Sequence, residues 1–362
     1  MAAPGLEPAV EAEAVALGLE ARRVEGGVEL EGPEGLHPRA NLHLRTASRV
    51  LLRLGSFRAT DPAALTRGLA AVELTRVWDG RTPLKLSVTA ARAAVPEGAV
   101  ARAAAQAWRL PSVERAGSLE EDASEGLTLH LRLSGPECTV SADTSGAPLY
   151  RRGYRQEVGR APLRETLAAG VLALADYDGV EPLVDPMCGS GTFLIEGAWM
   201  SQRRAPGLEQ AFGFERFPGF DAEGWRRLQA QAREQLLPAP RGAVYGFDLN
   251  AGALGTARRN ARRAGLTLEL ERRDVRTLTA PVPGPGLVVA NPPYGKRVGE
   301  EGDLPELYRA LGATLRGAFR GWRVALLVPE EAELVRALNL PGARSLRVRN
   351  GGLRCQVLLA RV

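Results

Sequence analysis

Alternating apolar and polar positions give the first 150 residues the pattern of a small α+β region. The clearest run covers residues 42–54, where every second residue is apolar or small and the residues between them include Arg45, Arg49 and Arg53. A period of two predicts a strand with one buried face, and its basic face is either solvated or directed at RNA phosphates. Further elements are predicted as helices at 8–17, 61–72 and 98–108 and as strands at 28–30, 84–89, 127–133 and 139–142.

Beyond residue 150 the pattern changes to helices that alternate with short apolar strands. This alternation is typical of a parallel sheet covered by helices, so we predict an α/β fold. The last two strands are separated only by Asn350-Gly351-Gly352, which predicts a hairpin with one strand antiparallel to the rest. Helices are predicted at 162–176, 192–204, 251–264, 304–319 and 330–338, and strands at 182–185, 243–247, 268–272, 286–290, 323–328, 344–349 and 355–360.

The composition is that of a packed protein, with 45% apolar and 25% charged residues. No apolar run approaches the roughly 18 residues of a membrane span, and the first residues lack the basic and apolar segments of a secretory signal. Cys138, Cys188 and Cys355 lie far apart without a CxxC pair, which excludes a zinc ribbon and argues against disulfides. We therefore expect a cytoplasmic protein that needs no metal.

The net charge of +5 comes almost entirely from arginine, since only Lys85 and Lys296 are lysines. Such a high ratio of arginine to lysine more often reflects the base composition of the genome than the function of the protein. Residues 151–362 carry 31 basic and 23 acidic residues, a net charge of +8. This excess is a weak signal for a polyanionic partner such as a nucleic acid.

The first motif that carries chemistry is Asp185-Pro186-Met187-Cys188-Gly189-Ser190-Gly191-Thr192, between a predicted strand and a predicted helix. Its glycines let a ligand approach the backbone at a strand end, where open α/β sheets bind ligands. The motif is not a P-loop, because no Gly-Lys-Ser/Thr follows, and Leu194 replaces the third glycine of a dinucleotide fingerprint. Asp185 would repel a pyrophosphate and suits a cationic or hydroxyl-bearing ligand. Taken alone, the motif is equally compatible with a structural turn.

Two further carboxylates follow the next predicted strands. Asp248 ends the strand within residues 244–250 and can accept both ribose hydroxyls of a nucleoside, or cap the following helix. Asp274 follows the next strand, where a carboxylate can accept an adenine amino hydrogen. Acidic residues in order at three successive strand ends predict an adenosyl ligand.

The motif that decides the class is Asn291-Pro292-Pro293-Tyr294, directly after a predicted strand. An asparagine oxygen and a proline carbonyl can accept the two hydrogens of an exocyclic amino group and aim its lone pair at a methyl donor, while Tyr294 can stack on the base. A proline-rich turn would explain these residues but not their place after three nucleoside-type signals. The sequence therefore predicts a methyltransferase that acts on a planar amino nitrogen.

With these motifs assembled, the chain resembles the THUMP-domain RNA guanine-N2 methyltransferases, and most of all the bacterial enzymes that methylate 23S ribosomal RNA. The resemblance implies an N-terminal ferredoxin-like part at 1–36, a THUMP RNA-binding domain at 37–150, and a class I (Rossmann-like) S-adenosylmethionine-dependent methyltransferase domain at 151–362. Some relatives carry a second methyltransferase domain beyond the position where this sequence ends, which puts a dual activity in doubt. The segments that carry the resemblance are residues 4–7, 41–49, 143–146, 152–155, 162–168, 185–193, 205–207, 291–297 and 350–355.

The resemblance and the motifs together assign three sets of site residues. The target base would be held by Asn291, Pro292, Pro293 and Tyr294. S-adenosylmethionine would be bound by Asp185, Pro186, Cys188, Gly189, Gly191, Thr192, Asp248 and Asp274. RNA would be bound by Arg45, Arg49, Arg53, Arg152 and Arg155.

The expected reaction is direct transfer of a methyl group to guanine N2 without a covalent enzyme intermediate, in a monomer that binds RNA and no membrane. One alternative is a transfer-RNA guanine-N2 methyltransferase, which the motifs do not separate from the ribosomal enzymes. Another is a DNA adenine-N6 methyltransferase, which shares the Asn-Pro-Pro-Tyr chemistry but does not explain the THUMP-like first half. A non-enzymatic RNA-binding protein would not require Asn291 and the three strand-end carboxylates.

Overall fold

The computed structural model describes residues 1–33, 35–110, 113–116, 126–156, 163–294 and 304–362. The predicted helix start at Pro162 and the family-like residues Lys296 and Arg297 lie outside these ranges. Within the described ranges, no helix has both the length and the apolar character needed to cross a bilayer.

The N-terminal region, residues 1–150, consists of a two-stranded hairpin and a five-stranded sheet, with helices packed against them. Its elements are α1 (Glu7–Ala16), β1 (Glu20–Val24), β2 (Gly27–Glu31), α2 (Leu36–His43), β3 (Leu51–Arg58), α3 (Pro62–Ala70), β4 (Leu84–Ala91), α4 (Glu97–Ala107), β5 (Glu114–Arg115), β6 (Leu127–Ser134) and β7 (Glu137–Asp143). The sheet has the order β3-β7-β6-β4-β5, in which β4 and β6 are parallel and β7 is antiparallel to both of its neighbours. Leu65 of α3 and Val100 of α4 are fully buried in one core with Leu129 of this sheet.

The predicted strand over residues 42–54 is wrong in its first part, because a helix extends to His43 and the strand begins only at Leu51. The segment between them is held against the end of β7 by polar contacts. Asn41 Nδ2 donates to Thr144 Oγ1 at 2.8 Å, and Arg49 forms a buried ion pair with Asp143. Burial alternates only as far as Thr46, since Ala47 and Arg49 are buried whereas Ser48 and Val50 are half-buried. The period of two was therefore misleading.

The sequence-based prediction missed α2 and the two-residue strand β5, and it also missed two further elements. The strand β1 consists mostly of charged residues, and it forms an antiparallel hairpin with β2 around Gly26 and Gly27. The second is a polar helix at Ala222–Glu234, in which Trp225 and Ala232 are the buried residues. The strand β1 has no apolar face and gives no periodic signal. In the helix, by contrast, Trp225, Leu228 and Ala232 follow a helical spacing that the sequence-based prediction missed.

The C-terminal region, residues 151–362, contains a seven-stranded sheet with helices on both faces. Its elements are α5 (Glu165–Leu174), β8 (Leu183–Asp185), α6 (Thr192–Ser201), α7 (Ala222–Glu234), β9 (Val244–Asp248), α8 (Ala251–Arg263), β10 (Glu269–Arg272), β11 (Leu287–Ala290), α9 (Leu304–Ala318), β12 (Arg323–Pro329), α10 (Ala332–Leu338), β13 (Arg344–Asn350) and β14 (Leu353–Arg361). The order is β10-β9-β8-β11-β12-β14-β13, and the pairs from β10 to β12 are all parallel.

The central strands β8, β11 and β12 are buried on both faces, as their runs of apolar residues predict. Val289 lies in a core with Val171 of α5, whereas its neighbour Val288 lies in a second core with Leu311 of α9. The strand β14 is antiparallel to both β12 and β13, which confirms the predicted hairpin. The α/β fold predicted for this half of the chain is therefore confirmed.

A buried ion cluster joins the two regions. Glu196 of α6 has no exposed surface and accepts from Arg152 Nε at 3.2 Å and from the Tyr154 hydroxyl at 3.0 Å. Arg45 Nη1 of the N-terminal region lies 3.9 Å from the other carboxylate oxygen, and Arg152 Nη2 donates to the Arg45 carbonyl at 2.5 Å. One buried carboxylate of α6 thus holds the loop around Arg45 and the segment that contains Arg152 and Tyr154.

The N-terminal segment also packs directly on the edge of the seven-stranded sheet. The Arg349 N–H donates to the Pro4 carbonyl at 3.3 Å, alongside β13. Gly5 has a φ of +93°, and a Cβ there would lie 2.0 Å from the Arg347 carbonyl oxygen. Only glycine permits this approach. Leu6 follows and is fully buried in the core of the C-terminal region.

We predict that Glu196→Gln lowers the free energy of unfolding by about 3–5 kcal/mol, because it leaves Arg152 buried without its countercharge. Urea denaturation of the variant measures this change. Glu223→Gln is the matched control, since Glu223 forms an exposed pair with Arg227 and should lose less than about 1 kcal/mol. Equal small losses in the two variants would contradict a linking role for Glu196.

Candidate active site

Three ends of strands meet at one edge of the seven-stranded sheet. β8 pairs in parallel with β9 on one side and with β11 on the other, so Asp185, Asp248 and Asn291 lie at the same edge. The order of the chain runs outward in both directions from the β8–β11 pair. Such a switch point leaves a crevice beyond the carboxyl ends of the strands, which is where open α/β sheets bind ligands.

The glycine turn between β8 and α6 borders this crevice. Gly189 and Gly191 have φ values of +53° and +83°, a region that glycine adopts without strain. The turn is fixed to the end of β9, because the Cys188 N–H donates to the Phe247 carbonyl at 2.9 Å and the Gly189 N–H donates to Asp248 Oδ2 at 2.9 Å. A Cβ on Gly189 would meet no atom within 4 Å. A ligand can therefore approach the backbone at this glycine.

Asp248 is half-buried at the end of β9 and shapes the site with both of its oxygens. In addition to the bond from Gly189, its Oδ1 accepts from the Asn250 N–H at 2.8 Å. Each carboxylate oxygen retains a lone pair for a ligand hydroxyl. The next residue, Leu249, is 55% exposed. Sequence reasoning missed Leu249, and its signal was an apolar residue directly after the strand-end acid.

Asp185 and Cys188 are both buried in this turn. Asp185 is 2% exposed, and burial, with a further contribution from the charge of Asp248, raises the pKa of its carboxyl well above the usual range. A cationic ligand beside it would favour the carboxylate. Burial also raises the pKa of the Cys188 thiol. A thiol held in its neutral form is a poor nucleophile, so Cys188 fits a packing role.

The remaining predicted cofactor residues lie around the turn and on the neighbouring strand. Pro186 is buried, and Thr192, 2% exposed, is the first residue of α6. Asp274 follows β10, accepts from the Arg276 N–H at 2.9 Å and forms an ion pair with its guanidinium at 3.3 Å. Of the predicted carboxylates it is the one already paired with a cation. Over the described part of the chain, no three His, Cys, Asp or Glu side chains are grouped as metal ligands would be.

Asn291 presents an unsatisfied acceptor at the switch point. Its Oδ1 is buried and has no hydrogen-bond partner among the residues that the structure describes. The hydroxyl of Tyr308, a fully buried residue of α9, donates to the Pro293 carbonyl at 3.4 Å. No described donor bonds to the carbonyl of Pro292. Because buried acceptors are normally paired, the Asn291 oxygen is the clearest mark of a ligand-binding position in this crevice.

Tyr294 is anchored by the last hairpin of the chain. Its hydroxyl accepts from Asn350 Nδ2 at 2.8 Å and lies 3.9 Å from the Cys355 sulfur. The residue is 8% exposed, and its stacking on a base stays a prediction. Sequence reasoning placed Asn350 only in a turn, because its contact with Tyr294 is between residues 56 positions apart.

The arginines predicted to bind RNA do not form one exposed basic surface. Arg49 and Arg152 are each 4% exposed and are paired with Asp143 and Glu196. The others have protein partners as well. Arg45 donates to the Arg204 carbonyl, Arg155 pairs with Glu165 at 2.9 Å, and the exposed Arg53 pairs with Glu29 at 2.5 Å. The predicted basic face is therefore wrong, because most of these arginines are buried or bonded to other groups of the protein.

The sheet order, the single antiparallel strand β14 and the crevice at the β8–β11 switch point define the class I methyltransferase fold. Residues 152–358 match the family model described as "RMKL-like, methyltransferase domain", and residues 1–51 match the "RlmL ferredoxin-like domain". The chain belongs to the RMKL-like methyltransferase domain family.

Known proteins resemble the chain over its full length. The "Ribosomal RNA large subunit methyltransferase K/L" of Methylococcus capsulatus is 37% identical over 98% of this chain and 50% of its own. This chain spans about half the length of the curated relatives it matches. A solved "putative methyltransferase complexed with SAH", SMU.472, has a TM-score of 0.85 and 26% identity, over 99% of this chain and 96% of its own. A "predicted N6-adenine-specific DNA methylase" from Listeria monocytogenes has a TM-score of 0.84 and 27% identity, over 99% and 94%.

These findings confirm the predicted family, the class I fold and the predicted enzyme class, a methyltransferase. They also confirm S-adenosylmethionine as the cofactor of the family. The roles of individual residues at the site and the boundaries predicted between domains remain predictions.

We predict that Asp248→Asn weakens S-adenosylmethionine binding by about 1.5–3 kcal/mol, because a charged acceptor for a ribose hydroxyl is lost. Isothermal titration calorimetry measures the change directly. Glu269→Gln removes the same charge at the amino end of β10 and should leave the affinity unchanged. An affinity that stays at the wild-type value in Asp248→Asn would refute the assignment.

Proposed function

We propose that the protein transfers a methyl group from S-adenosylmethionine to the exocyclic N2 of a guanine in RNA, with 23S ribosomal RNA as the substrate. The observation that carries this proposal is the buried Asn291 oxygen without a partner, at the switch point beside the glycine turn. An unpaired buried acceptor costs free energy unless a ligand supplies the donor. An exocyclic amino group is such a donor.

The Asn-Pro-Pro-Tyr segment offers two acceptors to such an amino group. Asn291 Oδ1 and the Pro292 carbonyl are both without a described donor, whereas the Pro293 carbonyl is engaged by Tyr308. Bound S-adenosylmethionine supplies an electrophilic methyl group. Two acceptors that hold the amino hydrogens would localise the nitrogen lone pair and point it at that methyl carbon. The proline backbone and the anchored Tyr294 keep these acceptors in place.

The cofactor fits the other side of the crevice. Gly189 leaves room for a ligand against the backbone, and Asp248 offers carboxylate lone pairs to ribose hydroxyls. Leu249 offers an exposed apolar surface next to that carboxylate, suited to a purine ring. Asp185 is buried beside the turn, and a cationic group of the ligand would favour the charged form of its carboxyl. These groups match a cationic adenosyl compound better than a pyrophosphate.

The choice of substrate rests on the curated relatives, whose names specify large-subunit ribosomal RNA. We propose that residues 37–150 act as the THUMP RNA-binding domain and that the enzyme works in the cytoplasm, where ribosomes are made. The second candidate is an adenine-N6 methyltransferase of DNA, which the name of the Listeria structure favours. Both candidates use the same acceptor chemistry, so substrate identity requires a direct test.

The test uses labelled S-adenosylmethionine with three unmodified substrates in parallel: 23S ribosomal RNA, transfer RNA and duplex DNA. Mass spectrometry of the digested nucleosides should find N2-methylguanosine from 23S RNA alone. N2-methylguanosine from transfer RNA would show that the proposed reaction is right but that the substrate is transfer RNA. N6-methyladenine from DNA, or no transfer to any of the three, would overturn the proposal.

We predict that Asn291→Ala lowers the turnover rate by about 10²–10³, because the lost acceptor acts mainly in the transition state. S-adenosylmethionine affinity and the thermal midpoint should stay at wild-type values. Asn291→Asp keeps an acceptor oxygen and should retain more activity than the alanine variant. The matched control is Asn339→Gly at the end of α10, where the φ of +48° suits glycine. Near-normal transfer by Asn291→Ala would mean that the segment is only structural.

A further inference from the structure

Two exposed arginines lie directly opposite each other at the tip of the last hairpin. Arg349 of β13 pairs in register with Arg354 of β14. Neither guanidinium has an acidic partner within 4 Å among the described residues. The nearby Arg347, in contrast, has Glu330 at 3.6 Å. Like charges directly opposite in a pair of strands are destabilising, so this arrangement favours an anion that lies between them.

The tip is fixed to the segment that we propose to hold the target base. Asn350, which follows Arg349, donates to the Tyr294 hydroxyl at 2.8 Å. Cys355, which follows Arg354, has its sulfur 3.9 Å from the same hydroxyl. Both arginines are therefore sequence neighbours of the residues that contact Tyr294. Because successive residues of a strand point to opposite faces, their guanidinium groups leave the tip on the face away from Tyr294.

We propose that Arg349 and Arg354 bind the RNA phosphates that flank the target nucleotide and thereby deliver its base to Asn291. Arginine suits this role, because its planar guanidinium matches phosphate oxygens and keeps its charge at every physiological pH. Leu353, 44% exposed in the same tip, adds an apolar side chain that a ribose or base can contact. The inference rests on the proposed RNA substrate and adds a surface to it.

The two arginines of the tip differ from most of the arginines predicted to bind RNA in being available to phosphates. Arg49 and Arg152 are buried in ion pairs, so they are not available to phosphates. Arg349 and Arg354 are exposed, and they belong to a hairpin tip whose other face contacts Tyr294. Phosphate contacts fix the register of a nucleic acid without reading its sequence. At this place, register decides which nucleotide reaches the acceptors.

The experiment compares the double variant Arg349→Gln/Arg354→Gln with the wild type in binding unmodified 23S RNA over a series of salt concentrations. Loss of two phosphate contacts should reduce the slope of log Kd against log salt by about 1.4–1.8. KM for RNA should rise, while kcat and S-adenosylmethionine affinity stay near wild-type values. The thermal midpoint should not fall, because the change also removes a repulsion.

The matched control is Arg320→Gln/Arg344→Gln, which removes two exposed charges at the end of α9 and the start of β13, away from the tip. It should leave the salt slope unchanged. If the tip variant matches this control while the wild type methylates RNA, the inference is wrong and the proposed function remains. If the wild type transfers no methyl group to RNA, both are overturned.

Discussion

Glu196 places a carboxylate in the interior, without exposed surface, and the relation between the two regions depends on how that charge is met. A buried carboxylate is tolerated only when cations and hydrogen-bond donors replace water. Here Arg152 and Tyr154 supply the direct bonds, and Arg45 lies within 3.9 Å from the N-terminal side. Moving the N-terminal region would therefore remove a countercharge from the interior, which gives this contact more weight than an ordinary surface pair.

The same helix that carries Glu196 begins at the glycine turn. Gly191 is the residue before α6, and Glu196 lies five positions further along. This glycine turn is bonded to the end of β9, because the Gly189 N–H donates to Asp248. The ion cluster and the turn that borders the candidate cofactor site are thus both connected to α6. The helix therefore links the contact between the two regions to the candidate site.

Features that local pattern or strand topology determines could be predicted from the sequence. The sheet required only alternation of helices and apolar strands, and the common edge of Asp185, Asp248 and Asn291 followed from parallel pairing. What failed depends on contacts between distant residues. The ion pair of Arg49 with Asp143 joins residues 94 positions apart, and no pattern around Arg49 distinguishes a buried countercharge from an exposed phosphate ligand.

The same limit explains why Asn350 was read only as a turn residue. Its turn chemistry is local and was recognised, whereas its bond to Tyr294 exists only after β14 has paired with β12. The same holds for Tyr294. The motif indicated an aromatic ring beside the acceptors, but not that the last hairpin anchors its hydroxyl and leaves the residue 8% exposed.

Polar or charged groups without a partner are informative where two of them lie near each other, because a folded protein normally pairs such groups. The Asn291 oxygen lacks a donor, and Arg349 and Arg354 oppose each other without an acid among the described residues. Tyr294 links the two places, because it follows Asn291 in the chain and its hydroxyl accepts from Asn350, the residue after Arg349. One ligand that carries an amino group and phosphates would supply a donor to the Asn291 oxygen and anions to the two arginines. The acceptor would then govern the rate of methyl transfer and the arginines the affinity for RNA, so the two contributions separate in kcat and in KM.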